Sequence, residues 1–192
     1  MENIDYQKVF TPILDEGERV LGGFKPNRKR LVGGCLFWCI GGLLFYGGFI
    51  AVWLATTPSD PEVSEFIRFL VAGIAAGLYV VFAVVMIVVF ALLYKHSFYA
   101  YTDKRILIRT GIIGVDYRTL DYDFLAAMDV KVGFLDKLLR TNTGSITFGS
   151  ASSPIVASGA QGGSPFVFSC IDDPYNNLKI IKKAVNEGKD GR

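Results

Sequence analysis

One histidine and three cysteines in 192 residues leave little material for catalysis. A hydrolase triad needs a histidine beside a nucleophile, and His96 stands between Lys95 and Ser97 at the end of an apolar run, where contact with lipid headgroups is its simpler role. Cys35, Cys39 and Cys170 are odd in number and imply no disulfide framework. Cys35 and Cys39 share a helix face at i, i+4, but a metal would need further ligands that the neighbouring residues do not supply. No glycine-rich phosphate loop precedes a helix. Asp116, Asp121, Asp123 and Asp129 are numerous, yet nothing in the sequence brings two of them to one cleft. Basic residues flank the apolar runs without forming a patch interleaved with aromatics, which argues against nucleic acid. The expectation is a protein that is not an enzyme, with no cofactor and no metal.

Charge is missing in a more informative way. Residues 31–55 carry none, and neither do residues 69–94. Each run exceeds the ~20 residues with which a helix crosses ~30 Å of hydrocarbon. Lipid offers no hydrogen-bond partners, so both runs should be helical throughout. Two core helices of a soluble protein would need polar faces that neither run has. The linker 56–68 holds Pro58, Asp60, Pro61, Glu62 and Glu65, which is acidic turn chemistry closing a helical hairpin. Lys25, Arg28, Lys29 and Arg30 precede the first span and Lys95, Lys104 and Arg105 follow the second, whereas the linker offers only Arg68. The positive-inside rule then predicts a multi-pass protein of the cell membrane with both termini cytoplasmic. The first thirty residues are too polar, and the run after them too long, for a signal peptide.

Glycine is abundant where charge is absent. Gly34, Gly41 and Gly48 recur every seven residues in the first span, and Gly73 and Gly77 make a GxxxG in the second, with Ala72, Ala76 and Ala83 expected near that surface. Small residues let helix backbones approach closely in lipid. Packing inside the hairpin or between copies is the expected use. Without ionisable groups in the spans, a subunit of an oligomeric channel or transporter is the lesser alternative.

After Ser97 the pattern turns to strands, with Tyr99, Tyr101, Ile106 and Ile108 stopping at Gly111 and a further β-rich stretch over 112–122. Thr110-Gly111 reads as a hairpin turn. Shorter strands are predicted at 128–132, 145–148 and 166–170, with one helical or irregular turn at 134–140. Residues 149–165 are nearly all Gly, Ser, Ala and Pro, the composition of a long hairpin loop, and no charged residue gives them a chemistry. Asp172-Asp173-Pro174 opens a helix over 174–185, with Leu178, Ile181 and Val185 on one face and Lys179, Lys182 and Lys183 on the rest. In the N-terminal arm Tyr6, Val9, Phe10, Ile13 and Leu14 have helical spacing that Pro12 interrupts. A helix lying on the membrane surface is one reading of that arm.

Several of these segments resemble the bacterial pleckstrin-homology-like membrane proteins. The matching residues are Tyr101-Thr102-Asp103-Lys104-Arg105-Ile106-Leu107-Ile108-Arg109-Thr110-Gly111, Leu120-Asp121-Tyr122, Val130-Lys131-Val132-Gly133, Gly144-Ser145-Ile146-Thr147-Phe148, Asp173-Pro174 and the opening Gly17-Glu18-Arg19-Val20-Leu21. The resemblance implies an α+β membrane protein: a two-helix transmembrane hairpin, then a seven-stranded PH-like barrel or sandwich closed by one C-terminal helix. The corresponding division is an arm at 1–30, a hairpin at 31–94, a cytoplasmic domain at 97–187 and a tail at 188–192. Five or six strands are legible after the hairpin, and 17–24 is where a missing one would lie. Phosphoinositide-binding relatives cluster basic residues in their first hairpin loop. The corresponding turn is taken here as 110–113, with only Arg109 beside it, which disfavours inositide recognition.

The function these readings converge on is a membrane-anchored, non-catalytic interaction or scaffold module, assembling with itself or with a protein partner. Lys25, Arg28, Lys29, Arg30, Lys95, Lys104 and Arg105 are its candidate headgroup contacts, and the five glycines its helix-packing residues. A cysteine placed at Ser59 is expected to react with an impermeant thiol reagent on intact cells, while one at Asn186 stays protected. Reversed labelling would invert the orientation.

Overall fold

In the computed structural model, the described residues are 4–56, 65–112, 114–150 and 166–190. The elements in chain order are α1 (Tyr6–Phe10), β1 (Val20–Phe24), α2 (Arg28–Thr56), α3 (Glu65–His96), β2 (Phe98–Thr102), β3 (Arg105–Thr110), β4 (Asp116–Asp121), β5 (Leu125–Lys131), α4 (Phe134–Leu138), β6 (Thr143–Ser150), β7 (Phe166–Asp172) and α5 (Pro174–Asp190). Short 3-10 turns, Thr11–Ile13 and Tyr122–Phe124, follow α1 and β4. The chain divides into two compact units, residues 32–91 and residues 1–31 with 92–192. The linker residues 57–64 and the loop residues 151–165 lie outside the described residues.

The larger unit holds two antiparallel sheets, in the orders β1-β2-β3-β4 and β5-β6-β7. Its first strand comes from before the apolar helices: Phe24 pairs with Tyr99 and Gly23 with Ala100. The helical hairpin is therefore inserted in the connection between β1 and β2. That corrects the placement of the first hairpin loop at 110–113. The 111–115 turn joins β3 to β4, and the first loop carries Lys25, Arg28, Lys29 and Arg30. Counting strands only after the second span hides this, because β1 pairs across some seventy residues.

Every connection in the unit then alternates between two ends. The end where the helices leave and return, termed the rim, holds the end of β1, the start of β2, the β3–β4 turn, α4 and the end of β7. The far end holds the β2–β3 turn and the 3-10 turn after β4.

The core lies between the sheets and under α5, where Ile181, Ala184 and Val185 bury against Ile106, Leu120 and Tyr122. Its centre is Phe168 on β7, stacked on Tyr99 of β2 with ring centroids at 4.9 Å, edge-on to Phe148 of β6 at 4.8 Å and 5.9 Å from Phe24 of β1. One ring thus joins both sheets. Aromatic pairs of this geometry add roughly 0.5–1.5 kcal/mol each beyond the area they bury. Where β7 must still reach the rim it bulges: Ser169 and Cys170 both stand opposite Ser145, and Cys170 adopts φ 56°.

β2 and β3 show little alternation because both faces of their sheet are covered. Tyr99, Tyr101, Ile106 and Ile108 face the core, and Ala100 and Leu107 face the N-terminal arm, where Phe10 is fully buried among them. This excludes the reading of the arm as a helix lying on the membrane. Pro12 does not disrupt it, since it occupies the first turn of the 3-10 segment that succeeds α1.

The smaller unit is the hairpin, with mean hydropathies of 2.0 and 2.9 in the most apolar windows of its two helices, both long and apolar enough to cross a membrane. The helices begin and end a few residues outside the uncharged runs. Asn27 explains the earlier start: its side-chain oxygen accepts the Arg30 backbone N–H at 3.0 Å, a cap.

Within the hairpin the close contact is at Gly42, which faces Phe82 and Tyr79; a Cβ there would stand 2.7 Å from Phe82. Tyr46 packs against the same two rings, and the Tyr79 hydroxyl donates to the Cys39 carbonyl at 3.2 Å. Gly34 is buried, but Gly41, Gly48, Gly73 and Gly77 have open space where a Cβ would be. The hairpin seam therefore runs on the other side of these helices, and Ala72 and Ala83 lie half-buried while Ala76 is exposed. Gly42→Leu is expected to lower the melting temperature of the full chain in mild detergent, while Gly73→Leu with Gly77→Leu leaves it unchanged. The opposite ranking would reverse the assignment of the seam.

Candidate functional site

The residues that flank the two apolar runs gather at the rim, where four candidate cations stand together, Lys25 just before α2 and Arg28, Lys29 and Arg30 in its first turn. Lys25 lies with its ammonium 4.3 Å from the Tyr94 ring centroid and 5.1 Å from that of Phe98, so its charge rests on aromatic faces. Arg28 and Lys29 are exposed, as is Lys95 at the end of α3. Lys25, Asn27, Arg28, Tyr94 and Asn177 line an open cavity of about 540 Å³ at this end, with Asp172 on its wall. The mixture of two cations, two amides and one carboxylate suits a polar, partly anionic group better than an apolar one.

Arg30 has a different task. Its Nε donates to Asp136, whose carboxylate also accepts from the Thr143 hydroxyl at 2.6 Å and from the Gly133 backbone N–H at 2.9 Å. Both partners of this ion pair are largely buried, at 14% and 6% side-chain exposure. Asp136 thus starts α4, holds β6 and fixes the residue from which the first apolar run departs. Asn27 adds a second tie, its backbone N–H donating to the Cys170 carbonyl at 2.6 Å and its side-chain amide to Asp172. Burial raises the Cys170 thiol pKa, with Arg30 opposing and Asp136 assisting, so this cysteine is held as a neutral thiol.

Lys104 and Arg105 are at the far end. They follow β2, and five residues at ~3.4 Å each carry the chain roughly 17 Å from the start of that strand. They and Lys25 to Arg30 therefore lie at opposite ends of the unit, because few residues in sequence become a large distance in an extended strand. Arg105 is also occupied. Its guanidinium donates to both Glu18 oxygens, at 3.1 and 2.7 Å, to the Ile13 carbonyl at 3.2 Å, and pairs with Asp15 at 2.9 Å. Glu18 further accepts the Thr102 hydroxyl at 2.7 Å and the Asp15 backbone N–H at 3.0 Å.

Burial alone would raise the Glu18 pKa, but the bonds from Arg105, the Asp15 N–H and Thr102, with the Arg105 charge, hold it below the ordinary 4.5. The same bonds push Arg105 higher still, so both remain charged. Close by, burial raises the Tyr122 phenol, which stays protonated and donates to the Thr102 carbonyl. Sequence reasoning missed these clusters, since their partners are 87 and 106 positions apart.

A second cavity, about 290 Å³, runs between β5 and α5 and is lined by Leu125, Ala127, Met128, Leu178, Lys182 and Lys189. Among the described residues β5 pairs with β6 alone, which leaves its other edge without a strand partner there. Among the described residues no group of three His, Cys, Asp or Glu is placed to hold a metal.

Arg105→Gln is expected to destabilise the chain by about 3–5 kcal/mol, because Glu18 would be left buried and uncompensated. A depressed carboxylate pKa contributes stability that is full above the unfolded value and is lost as pH falls through the folded one. The melting-temperature gap between parent and Glu18→Gln should therefore be widest near neutrality and narrow below about pH 4.5. A gap that is constant down to about pH 3 would show that Glu18 is not ionised in the folded chain.

Against known proteins, a family model described as Bacterial PH domain matches residues 48–182, from within α2 to within α5. Comparison with curated proteins and with solved structures gives no match.

Proposed function

The chain belongs to the bacterial PH domain family, and from that premise we propose that it is a membrane-anchored, non-catalytic interaction module. PH-like domains are generally binding modules without enzymatic activity. The anchor in this reading is the hairpin, crossing the cell membrane twice with both termini on the cytoplasmic side. Lys25, Arg28, Lys29 and Lys95 would then lie against the headgroups. An anionic leaflet attracts basic residues near its surface by ~1 kcal/mol each.

The observation that carries the reading is the insertion of two helices with long uncharged runs between strands that pair with each other, so that only a few residues join the binding domain to the anchor at each crossing. The reader surface is the open edge of β5 beside α5. Strand edges accept an extended segment as a further strand, and Lys179, Lys182, Lys183 and Lys189 on the neighbouring helix favour an acidic one, from a protein partner or a second copy.

Alkaline carbonate should leave the full chain in the membrane pellet, and release into the supernatant would remove the anchor. A photo-crosslinking residue at Ala127 should give discrete adducts in native membranes that the same group at exposed Leu21 does not. Equal patterns at both positions would remove the reader.

A further inference from the structure

We propose that the rim of the PH-like unit itself enters the bilayer interface through two apolar prongs, α4 and the β3–β4 turn. The proposal rests on the hairpin being membrane-embedded.

The rim's depth follows from chain connectivity. Arg30 is the last charged residue before the run 31–55, so whatever its side chain binds sits at the mouth of the first span. It binds Asp136 of α4. On the other side, Phe98 begins two residues after α3 ends, and it pairs with Arg109 at the end of β3, while Thr110 pairs with Asp116. The turn between those last two residues is therefore at the same end of the unit as Ser97, where the chain returns from the second apolar run.

Both elements expose apolar side chains that a soluble surface would bury. Phe134 and Leu138, one helical turn apart on α4, are 70% and 58% exposed. Ile112 and Val115 in the turn are each 40% exposed. None of the four belongs to either hydrophobic cluster of the domain. Lys137 and Arg140 are exposed beside the first prong, and Arg109 rests on the Phe98 and Tyr117 rings, 5.4 and 5.9 Å from their centroids, beneath the second. Apolar groups flanked by cations are the composition of elements that settle ~5–10 Å into the headgroup and acyl boundary. Charge favours lipid over a protein occupant here, since these cations add to Arg28, Lys29 and Lys95 at the same end.

The test uses the full chain in nanodiscs containing anionic lipid, with Cys35, Cys39 and Cys170 replaced by Ser and one nitroxide label at a time. Labels at Leu138 and Ile112 are expected to collide more with oxygen than with a water-soluble nickel chelate, as should a label at Phe45 in α2. A label at Phe124, an equally exposed aromatic in the far-end 3-10 turn, is expected to prefer nickel. Nickel preference at Leu138 and Ile112 with oxygen preference at Phe45 would overturn the prongs while sparing the anchor. Nickel preference at Phe45 as well would overturn both.

Discussion

Two strands that must pair are separated by two helices, and the rest of the structure follows from that constraint. Phe24 and Tyr99 are register partners, and neighbouring strands lie only ~4.8 Å apart. The chain must therefore leave the sheet towards the first helix, and come back from the second, at the ends of two adjacent strands. Closing so long an insertion costs little extra entropy, since the penalty grows only with the logarithm of length. The hairpin also orders itself through Gly42, Tyr79 and Phe82. Once β1 and β2 are joined at the rim, an antiparallel meander assigns every later turn to the rim or the far end. Arg30 and Arg105, alike in sequence context as flanking cations, are sent to opposite ends by this rule.

Each end is then closed by a buried ion pair, Arg105–Glu18 at the far end and Arg30–Asp136 at the rim. Such pairs add little net stability, because desolvation consumes most of the Coulombic gain, but a wrong partner or register would strand a charge in the interior. Glu18 precedes β1 and Arg105 opens β3, so the first pair ties down the strand that the insertion separates from its sheet. Asp136 and Arg30 do the same for α4. Between them Phe168 contacts β1, β2 and β6, which makes the middle of the barrel a matter of ring packing and its two ends a matter of charge.

What could be read from the residues was whatever repeats locally or is absent over a long run. Uncharged stretches gave the two helices, β-branched and aromatic runs gave β2, β3, β6 and β7, and the spacing of Leu178, Ile181 and Val185 gave the buried face of α5. The shortfall in strands pointed to 17–24, where β1 lies. Pairings across the fold had no such signal. Gly42 has the same neighbours in sequence as Gly41, and only the partner helix distinguishes them. Phe10 looked amphipathic because half of its surroundings, Ala100 and Leu107, come from β2 and β3. Lys104 follows the second apolar run by few residues, but β2 converts that short sequence into a length of strand.

The same topology makes the PH-like unit depend on residues that precede the two apolar helices. Residues 97–187 look like a self-sufficient domain when strands are counted after the second span, and the family match likewise begins at residue 48, beyond β1. Cutting there would leave β2 without its β1 partner, turning an interior strand into the bare edge of a three-stranded sheet. Phe168 and Tyr101 would lose Phe24. Arg105 would be left partly buried without Glu18, and Asp136 without Arg30. Losses at the centre and at both ends leave no intact surface on which such a fragment could close.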